Sequence, residues 1–457
     1  MSAESYDIVI VGGGTGGAFA AATAATAGLD TVILERKPAE AAGHIACGDA
    51  IKGTATFPDV IDLDYLKDEA FTNQSITRAV FENPSSNDDI EIGFRGPGAV
   101  LDRKRYGEII LEEAERLGAE IHYDTVVQDV HQADDGTVTG VSGIRADEAV
   151  TYDAEVVIDA AGALSILQDK GEFGDSHFDT NVRYTQFCSA YREVIEVDEP
   201  VDWDDALVFK PTTELGYLWY FPRTPTRINV GVGFQMDQPE MQMISAIEED
   251  MQSRPELVNP RVVDKLGAAV PTRRPYDSAV ADGYMAVGDA AGHVNPTTGG
   301  GIPGAAKSAH WATKRAIAAI DEGDVSEAAL WEYNRDVMTD FGKHFAAIDC
   351  YNIWGTAHDV DELTEIVSSV PAQHLADAMA GKDTGPMPLS LKLRTIKDTY
   401  GHWEKLIQLV KVRRKASALA DHYDRYPARP GGFQAWRSVR DDIMDEIYEI
   451  AGADPKY

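Results

Sequence analysis

The stretch Tyr6-Asp7-Ile8-Val9-Ile10-Val11-Gly12-Gly13-Gly14-Thr15-Gly16-Gly17 decides how this chain folds. A short apolar run ends in a glycine turn, and an Ala-rich segment from Ala18 to Ala27 follows. A second apolar run, Thr31-Val32-Ile33-Leu34, then ends at Glu35. Strand, glycine turn, helix and strand-ending acid together form a dinucleotide fingerprint. Gly12 permits the tight turn, Gly14 lets backbone approach a pyrophosphate, and Gly17 lets the helix pack close to the strand. The diphosphate is expected at the helix N-terminus, where free N–H groups and the helix dipole favour negative charge. Glu35 can accept hydrogen bonds from both hydroxyls of an adenosine ribose, with Arg36 beside it. A 2′-phosphate there would be repelled, so the pattern favours FAD or NAD over NADP.

A second motif separates those two. Residues 283–304 carry an apolar strand that ends at Gly288-Asp289, then a glycine-rich loop, then Pro303 in the first turn of a long helix. Asp289 is placed to bind the ribityl hydroxyls of a flavin. The amides near Gly301 and Ile302 are placed to face its pyrimidine edge and stabilise negative charge there. A nicotinamide enzyme needs no such second site, so the expected cofactor is FAD.

These motifs predict an α/β chain. A discontinuous FAD-binding Rossmann-like domain is expected over 1–60, 98–178 and 272–325. An antiparallel substrate-binding sheet is expected over 61–97 and 179–271, and a helical C-terminal region over 326–457. Glu91–Val100, Gln186–Val197 and Arg227–Phe234 alternate or carry β-branched runs, as strands of the inserted sheet would. Arg105–Leu117 reads as an amphipathic helix and Glu155–Asp159 as a returning strand. The long segments 326–350 and 402–420 lack proline and read as helices.

The chain resembles the geranylgeranyl reductase family of FAD enzymes, which share the architecture of p-hydroxybenzoate hydroxylase within the glutathione reductase type of FAD domain. The resemblance rests on Cys47-Gly48-Asp49, on Leu101-Asp102-Arg103, on Tyr217-Leu218-Trp219-Tyr220-Phe221-Pro222 followed by Gly231-Val232-Gly233, and on the loop Asn295 to Ile302. It implies that Gly48, Asp49 and Arg103 contact FAD. It also implies that Tyr217, Trp219, Tyr220, Gly231 and Gly233 form the substrate pocket, with Cys47 beside the flavin. Thr15 stands where the family often has proline. In Val157-Ile158-Asp159-Ala160-Ala161-Gly162 the usual Ala-Asp-Gly order is missing, and this turn receives no role.

An isolated trisubstituted alkene is a poor electrophile, so hydride from flavin N5 needs a proton donor and an apolar, aromatic-lined pocket. Strand alternation puts Tyr217 and Trp219 on one face, where their rings can pack a prenyl chain and stabilise developing positive charge. Cys47, with an ordinary thiol pKa of about 8.5, is the candidate donor. His44 and His293 read as hydrogen-bonded structural residues. The expected reaction saturates geranylgeranyl chains of archaeal ether lipids, with a prenylated lipid as substrate. The polyprenyl tail of menaquinone is an alternative, and a non-catalytic prenyl-binding escort on the same fold is another. A ferredoxin, a deazaflavin or NAD(P)H would supply the electrons.

Charge and cysteine usage set the surroundings. Asp and Glu number 76 against 41 Lys and Arg, a formal net charge of −35. Such an excess self-repels at low salt and keeps a protein soluble when salt screens it, which points to a halophilic cytosol and away from nucleic acid. The chain opens without a signal-peptide pattern, and it has no run of about 18 apolar residues. Cys47, Cys188 and Cys350 show neither metal spacing nor a disulfide framework, so no metal is expected. Residues 381–440 run against the trend, with 13 Lys and Arg against 5 Asp and Glu. Lys411, Arg413, Arg414 and Lys415 follow Trp403, Leu406, Ile407 and Val410 at helical spacing, a pattern suited to peripheral contact with an anionic membrane or a lipid phosphate.

Overall fold

The computed structural model describes residues 3–84, 89–212, 216–236, 241–360, 362–363 and 403–457. Two sheets organise it. The first has a parallel core of Tyr284–Ala286, Glu148–Asp159, Glu4–Val11, Thr31–Leu34 and Glu120–His122, in that spatial order. Ile8–Val11 and Thr31–Leu34 are buried, so both faces of the sheet are covered there, and all of these residues but Thr31 are apolar. The return strand is longer than the five residues read from sequence. Its first half, from Glu148, pairs antiparallel with Val138–Arg145, which pairs in turn with Thr125–Gln132.

The second sheet is antiparallel over most of its width. Its order is Arg261–Pro271, Phe187–Glu196, Arg227–Gln235, Tyr217–Thr224, Ala206–Pro211, Asn73–Phe81, Ile90–Val100 and Ala50–Ile51. Helix Met241–Gln252 covers one face, packing on Tyr220, Val230 and Val232. The other face, with Trp219, Phe221 and Leu207, looks toward the first sheet and forms one wall of a large cavity.

Glycine packing fixes the turn between the first strand and its helix, Thr15–Thr26. Gly12 has φ +104°, and a Cβ there would lie 2.4 Å from the carbonyl oxygen of Ala160. A Cβ on Gly17 would lie 1.9 Å from the carbonyl of Gly12. The Ala160–Ala161 turn, given no role from sequence, is thus the surface against which the glycine turn closes. Asp159 sets that turn by accepting from Ala161 N (3.0 Å) and Tyr284 OH (2.6 Å).

The C-terminal helices are held to the FAD-side loops by a buried ion cluster. Arg440 of helix Phe433–Ala451 pairs with Asp277, Nη2 to Oδ2 at 2.7 Å, and Tyr426 OH donates to the Asp277 carbonyl at 2.7 Å. Burial alone would raise the Asp277 pKa, but Arg440 and Arg274 outweigh it and hold the carboxyl well below the usual carboxylate range. Asp277→Ala takes the buried counter-charge from Arg274 and leaves Arg440 with the exposed Asp441 alone. Removing one partner of such a pair costs about 3–5 kcal/mol, so guanidinium unfolding of the holoprotein at high KCl should show a loss of that size. A loss below about 1 kcal/mol would mean that the cluster is solvated.

Candidate active site

One cavity of about 3440 Å³ runs from the glycine turn, across the junction of the two sheets, to the C-terminal helices. Single small-ligand pockets occupy roughly 300–1,000 Å³, so this space has room for a dinucleotide and a long second ligand. Gly12, Gly14, Glu35, Arg36, Arg103, Asp289, Gly301 and Ile302, expected from sequence at a dinucleotide site, all line it.

Their geometry fits the group. A Cβ at Gly14 would meet only Ile45 Cδ1, at an ordinary 3.6 Å. Unlike Gly12 and Gly17, Gly14 is therefore not required by the protein's own packing, and its bare backbone faces the cavity. Glu35 accepts from Gly13 N at 2.7 Å and Lys37 N at 2.9 Å. A carboxylate offers about four acceptor sites, which leaves capacity for a ribose. Arg103 is buried at the start of helix Arg103–Arg116, where Asp102 caps the helix through Lys104 N at 3.0 Å. Its guanidinium donates to Thr15 Oγ1 at 3.2 Å, beside the N-terminus of the first helix. Asp289 is half-buried, and burial pushes its carboxyl up to about 6 even though Arg103 pulls the other way. A carboxylate so placed gains most from hydroxyl donors.

The flavin loop is shaped by Asn295, whose Oδ1 accepts from Thr297 N and Thr298 N, both at 3.1 Å. Gly301 then caps helix Ile302–Glu322, whose first turn opens onto the cavity. Tyr217 reaches this loop directly, its hydroxyl donating to the Thr298 carbonyl at 3.1 Å. The aromatic strand and the flavin loop are thereby one structure.

Cys47 lines the same cavity, and its carbonyl accepts from Asn229 of the neighbouring strand at 2.8 Å. Burial, with Asp49 adding to it, pushes its thiol up to about 11, against a partial pull from Arg103 and Arg192. The thiol is therefore protonated at neutral pH. Gly48 lies over the aromatic strand, where a Cβ would come within 3.2 Å of Phe221 and 3.5 Å of the Trp219 Nε1.

Several expectations need correction. Tyr220 does not line the cavity. Alternation along Tyr217–Thr224 turns it to the opposite face, where its hydroxyl donates to Asp250 at 2.6 Å and Arg254 stacks on its ring. Gly231 does not line the cavity either: the Trp219 ring lies across it, and a Cβ would sit 2.1 Å from Trp219 Cζ2. Gly231 therefore acts by seating Trp219, whereas Gly233 does line the space. The Asp49 carboxylate is buried in the cavity wall, and its Oδ2 pairs with Arg223 at 2.7 Å and so ties the Cys47 segment to the aromatic strand, while its Oδ1 has no partner among the described residues. Its φ of +69° makes the turn that brings this about.

His293 is buried among Tyr333 and Phe341, and neither ring nitrogen finds a partner among the described residues. Burial lowers its pKa to about 3, so it is neutral. His44 does have a partner: its Nε2 lies 2.9 Å from Asp264, which also pairs with Arg192. The sequence reading missed Arg192, Arg223 and Asn229. Asn229 stands two residues before Gly231, inside the aromatic motif, and that position was the available signal.

The basic helix is Trp403–Tyr423. Val412, Ala416, Leu419 and Tyr423 are its buried side, and Lys415 pairs with Glu446. Ile407 and Val410 are 52% and 53% exposed, and with Lys411, Arg413 and Arg414 they line the cavity. The side chains of Trp403 and Leu406, and the basic residues between 382 and 397, lie outside the described residues.

Residues 5–340 match the FAD-binding domain family. A digeranylgeranylglycerophospholipid reductase of Sulfolobus acidocaldarius is 27% identical, over 98% of this chain and 99% of that protein. One from Methanopyrus kandleri is 30% identical, over 80% of this chain and 94% of its own. This chain belongs to the FAD-binding digeranylgeranylglycerophospholipid reductase family. Among solved structures, a geranylgeranyl bacteriochlorophyll reductase-like protein from Thermoplasma acidophilum superposes with a TM-score of 0.73 at 22% identity, covering 90% of this chain and all of its own. A myxobacterial chondrochloren halogenase does so at 0.60 and 18% identity, covering 87% of this chain and 97% of its own. At those identities they establish a shared fold. The family cofactor is FAD, and the chain is an FAD-dependent oxidoreductase.

Proposed function

We propose that this chain saturates the geranylgeranyl chains of archaeal glycerophospholipids. The observation that carries this is the Tyr217–Thr298 hydrogen bond, which sets an aromatic, apolar sheet face against the flavin loop within one cavity. The chemistry that FAD would supply there, once reduced, is hydride donation. The chain's own residues do the rest. Glu35 and Arg103 hold the dinucleotide, and Asp289 accepts from its hydroxyls. The helix end at Gly301 and Ile302 stabilises negative charge nearby. Trp219 and Tyr217 present ring faces to the prenyl chain, stabilising positive charge as a proton adds to the alkene. Cys47 holds that proton on Sγ, where its raised pKa keeps the thiol neutral until the alkene draws on it. The electrons come from an external donor, a ferredoxin, a deazaflavin or a nicotinamide.

No helix among the described residues is long and apolar enough to cross a membrane. The substrate is membrane-bound, so we place the protein peripherally on the cytoplasmic face, with Lys411, Arg413 and Arg414 toward anionic headgroups. Salt screens charge strongly in a halophilic cytosol, so this contact requires Ile407 and Val410 as well. Flotation with anionic archaeal lipid vesicles at high KCl should be weakened by changing Lys411, Arg413 and Arg414 to Gln. Equal flotation of variant and wild type would remove this helix from the contact.

Mass spectrometry of membrane lipids and quinones after deletion of the gene tests the substrate. Accumulation of unsaturated ether lipids is expected. Saturated lipids together with unsaturated quinone tails would transfer the activity to menaquinone.

A further inference from the structure

Asn229 is fully buried on strand Arg227–Gln235, and its side-chain amide joins three elements. Its Nδ2 donates to the Cys47 carbonyl at 2.8 Å and to Asp49 Oδ2 at 2.5 Å. Its Oδ1 accepts from the Trp219 indole Nε1 at 2.9 Å. Partner chemistry fixes the amide's orientation. An indole N–H can only donate, and a carbonyl or carboxylate can only accept, so the reversed amide would face one unpaired donor and two unpaired acceptors. Both Nδ2 hydrogens are used. Gly48 lies over the same rings, where an added Cβ would come within 3.2 Å of Phe221 and 3.5 Å of the Trp219 Nε1. Arg223 completes the arrangement by donating to the same oxygen, Asp49 Oδ2, at 2.8 Å.

We propose that Asn229 is a positioning residue that fixes the Cys47 segment against the Trp219 ring, so that thiol and aromatic face keep one separation. Without it the Cys47 segment is held to the strand by the Asp49–Arg223 pair, and Trp219 loses the acceptor that sets its ring over Gly231. The catalytic consequence rests on the proposed reading of Cys47 as proton donor. The positioning itself does not, and the experiment separates the two.

The test uses FAD-loaded Asn229→Leu, which keeps the volume and removes all three hydrogen bonds, and Trp219→Phe, which removes the indole donor together with one ring of the side chain. Iodoacetamide labelling at pH 8, mapped to Cys47 by peptide mass spectrometry, reports position independently of turnover. Labelling should accelerate about tenfold or more in Asn229→Leu, and by less in Trp219→Phe. In Asn229→Leu kcat should fall about 10- to 100-fold, as misplacement of about 1 Å does, with KM and FAD content near wild type. Wild-type labelling in both FAD-loaded variants overturns the proposal. Accelerated labelling with unchanged kcat supports the positioning and instead removes Cys47 as proton donor. If Asn229→Leu does not retain FAD, Trp219→Phe decides alone: accelerated labelling supports the proposal, and a wild-type rate overturns it.

Discussion

Turnover of a Cys47→Ala holoprotein is expected to fall by about 10²–10⁴-fold, the usual contribution of a positioned proton donor. FAD content and its reduction by dithionite should stay at the wild-type level, because the Cys47 thiol's hydrogen bond comes from Asp49 N and does not involve Glu35, Arg103 or Asp289. The wild-type pH profile follows from the same assignment. Burial and Asp49 push the thiol up to about 11, while Arg103 and Arg192 pull part of the way back. The active form carries the proton, so from this group the rate should be level through neutral pH and fall as pH rises toward 11. An ordinary thiol would begin to lose activity near 8.5. Steady-state turnover from pH 7 to 10.5, alongside flavin reduction measured separately, checks both. Wild-type turnover in Cys47→Ala would assign the proton to another donor.

Asp289→Asn should move stability and cofactor binding in opposite directions. In the apoprotein, burial raises this carboxyl from 3.8 to about 6. Ionisation is therefore easier in the unfolded chain, and folding loses free energy as pH climbs from the lower value to the higher. The loss is complete above pH 6 and is of order 2–3 kcal/mol. Asparagine avoids it, so the variant apoprotein should melt higher than wild type at pH 8, with a gap that narrows as pH falls toward 4. FAD retention should weaken about 10- to 100-fold, since hydrogen bonds to a charged acceptor contribute about 1.5–3 kcal/mol. Strain of this kind is a recurring property of binding sites, where function is kept at some cost to the empty fold. Thermal melts of apoprotein and flavin-fluorescence titrations measure the two sides. An unchanged FAD affinity would remove Asp289 from the site.

What the sequence disclosed follows from how local each constraint is. Gly12 and Gly17 are explained by contacts within one strand–turn–helix unit and with the adjoining strand end, so the spacing of the motif was enough to find them. Trp219 and Tyr217 share a face by strand alternation, which is also local. The same alternation removes Tyr220 from the pocket, although it belongs to the same motif. A motif names residues that travel together, and strand geometry decides which of them face the ligand. Gly231 is a further case: it stands in the pocket motif because the Trp219 ring lies across it. The polar network around Cys47 was not legible. Asn229 lies 182 residues from Cys47, and Arg223 lies 174 from Asp49. Nothing in the spacing of an isolated Asn and Arg signals partners so distant. The basic helix was legible as a helix, but its face toward the cavity depends on packing against Lys343–Gly355 and Phe433–Ala451, which periodicity alone does not specify.

The central claim is tested most directly by incubating dithionite-reduced, FAD-loaded protein with digeranylgeranylglycerophospholipid at high KCl and weighing the lipid by mass spectrometry. The account predicts products that lose double bonds stepwise until the chains are saturated. Flavin that stays reduced under anaerobic conditions, with lipid of unchanged mass, would contradict it.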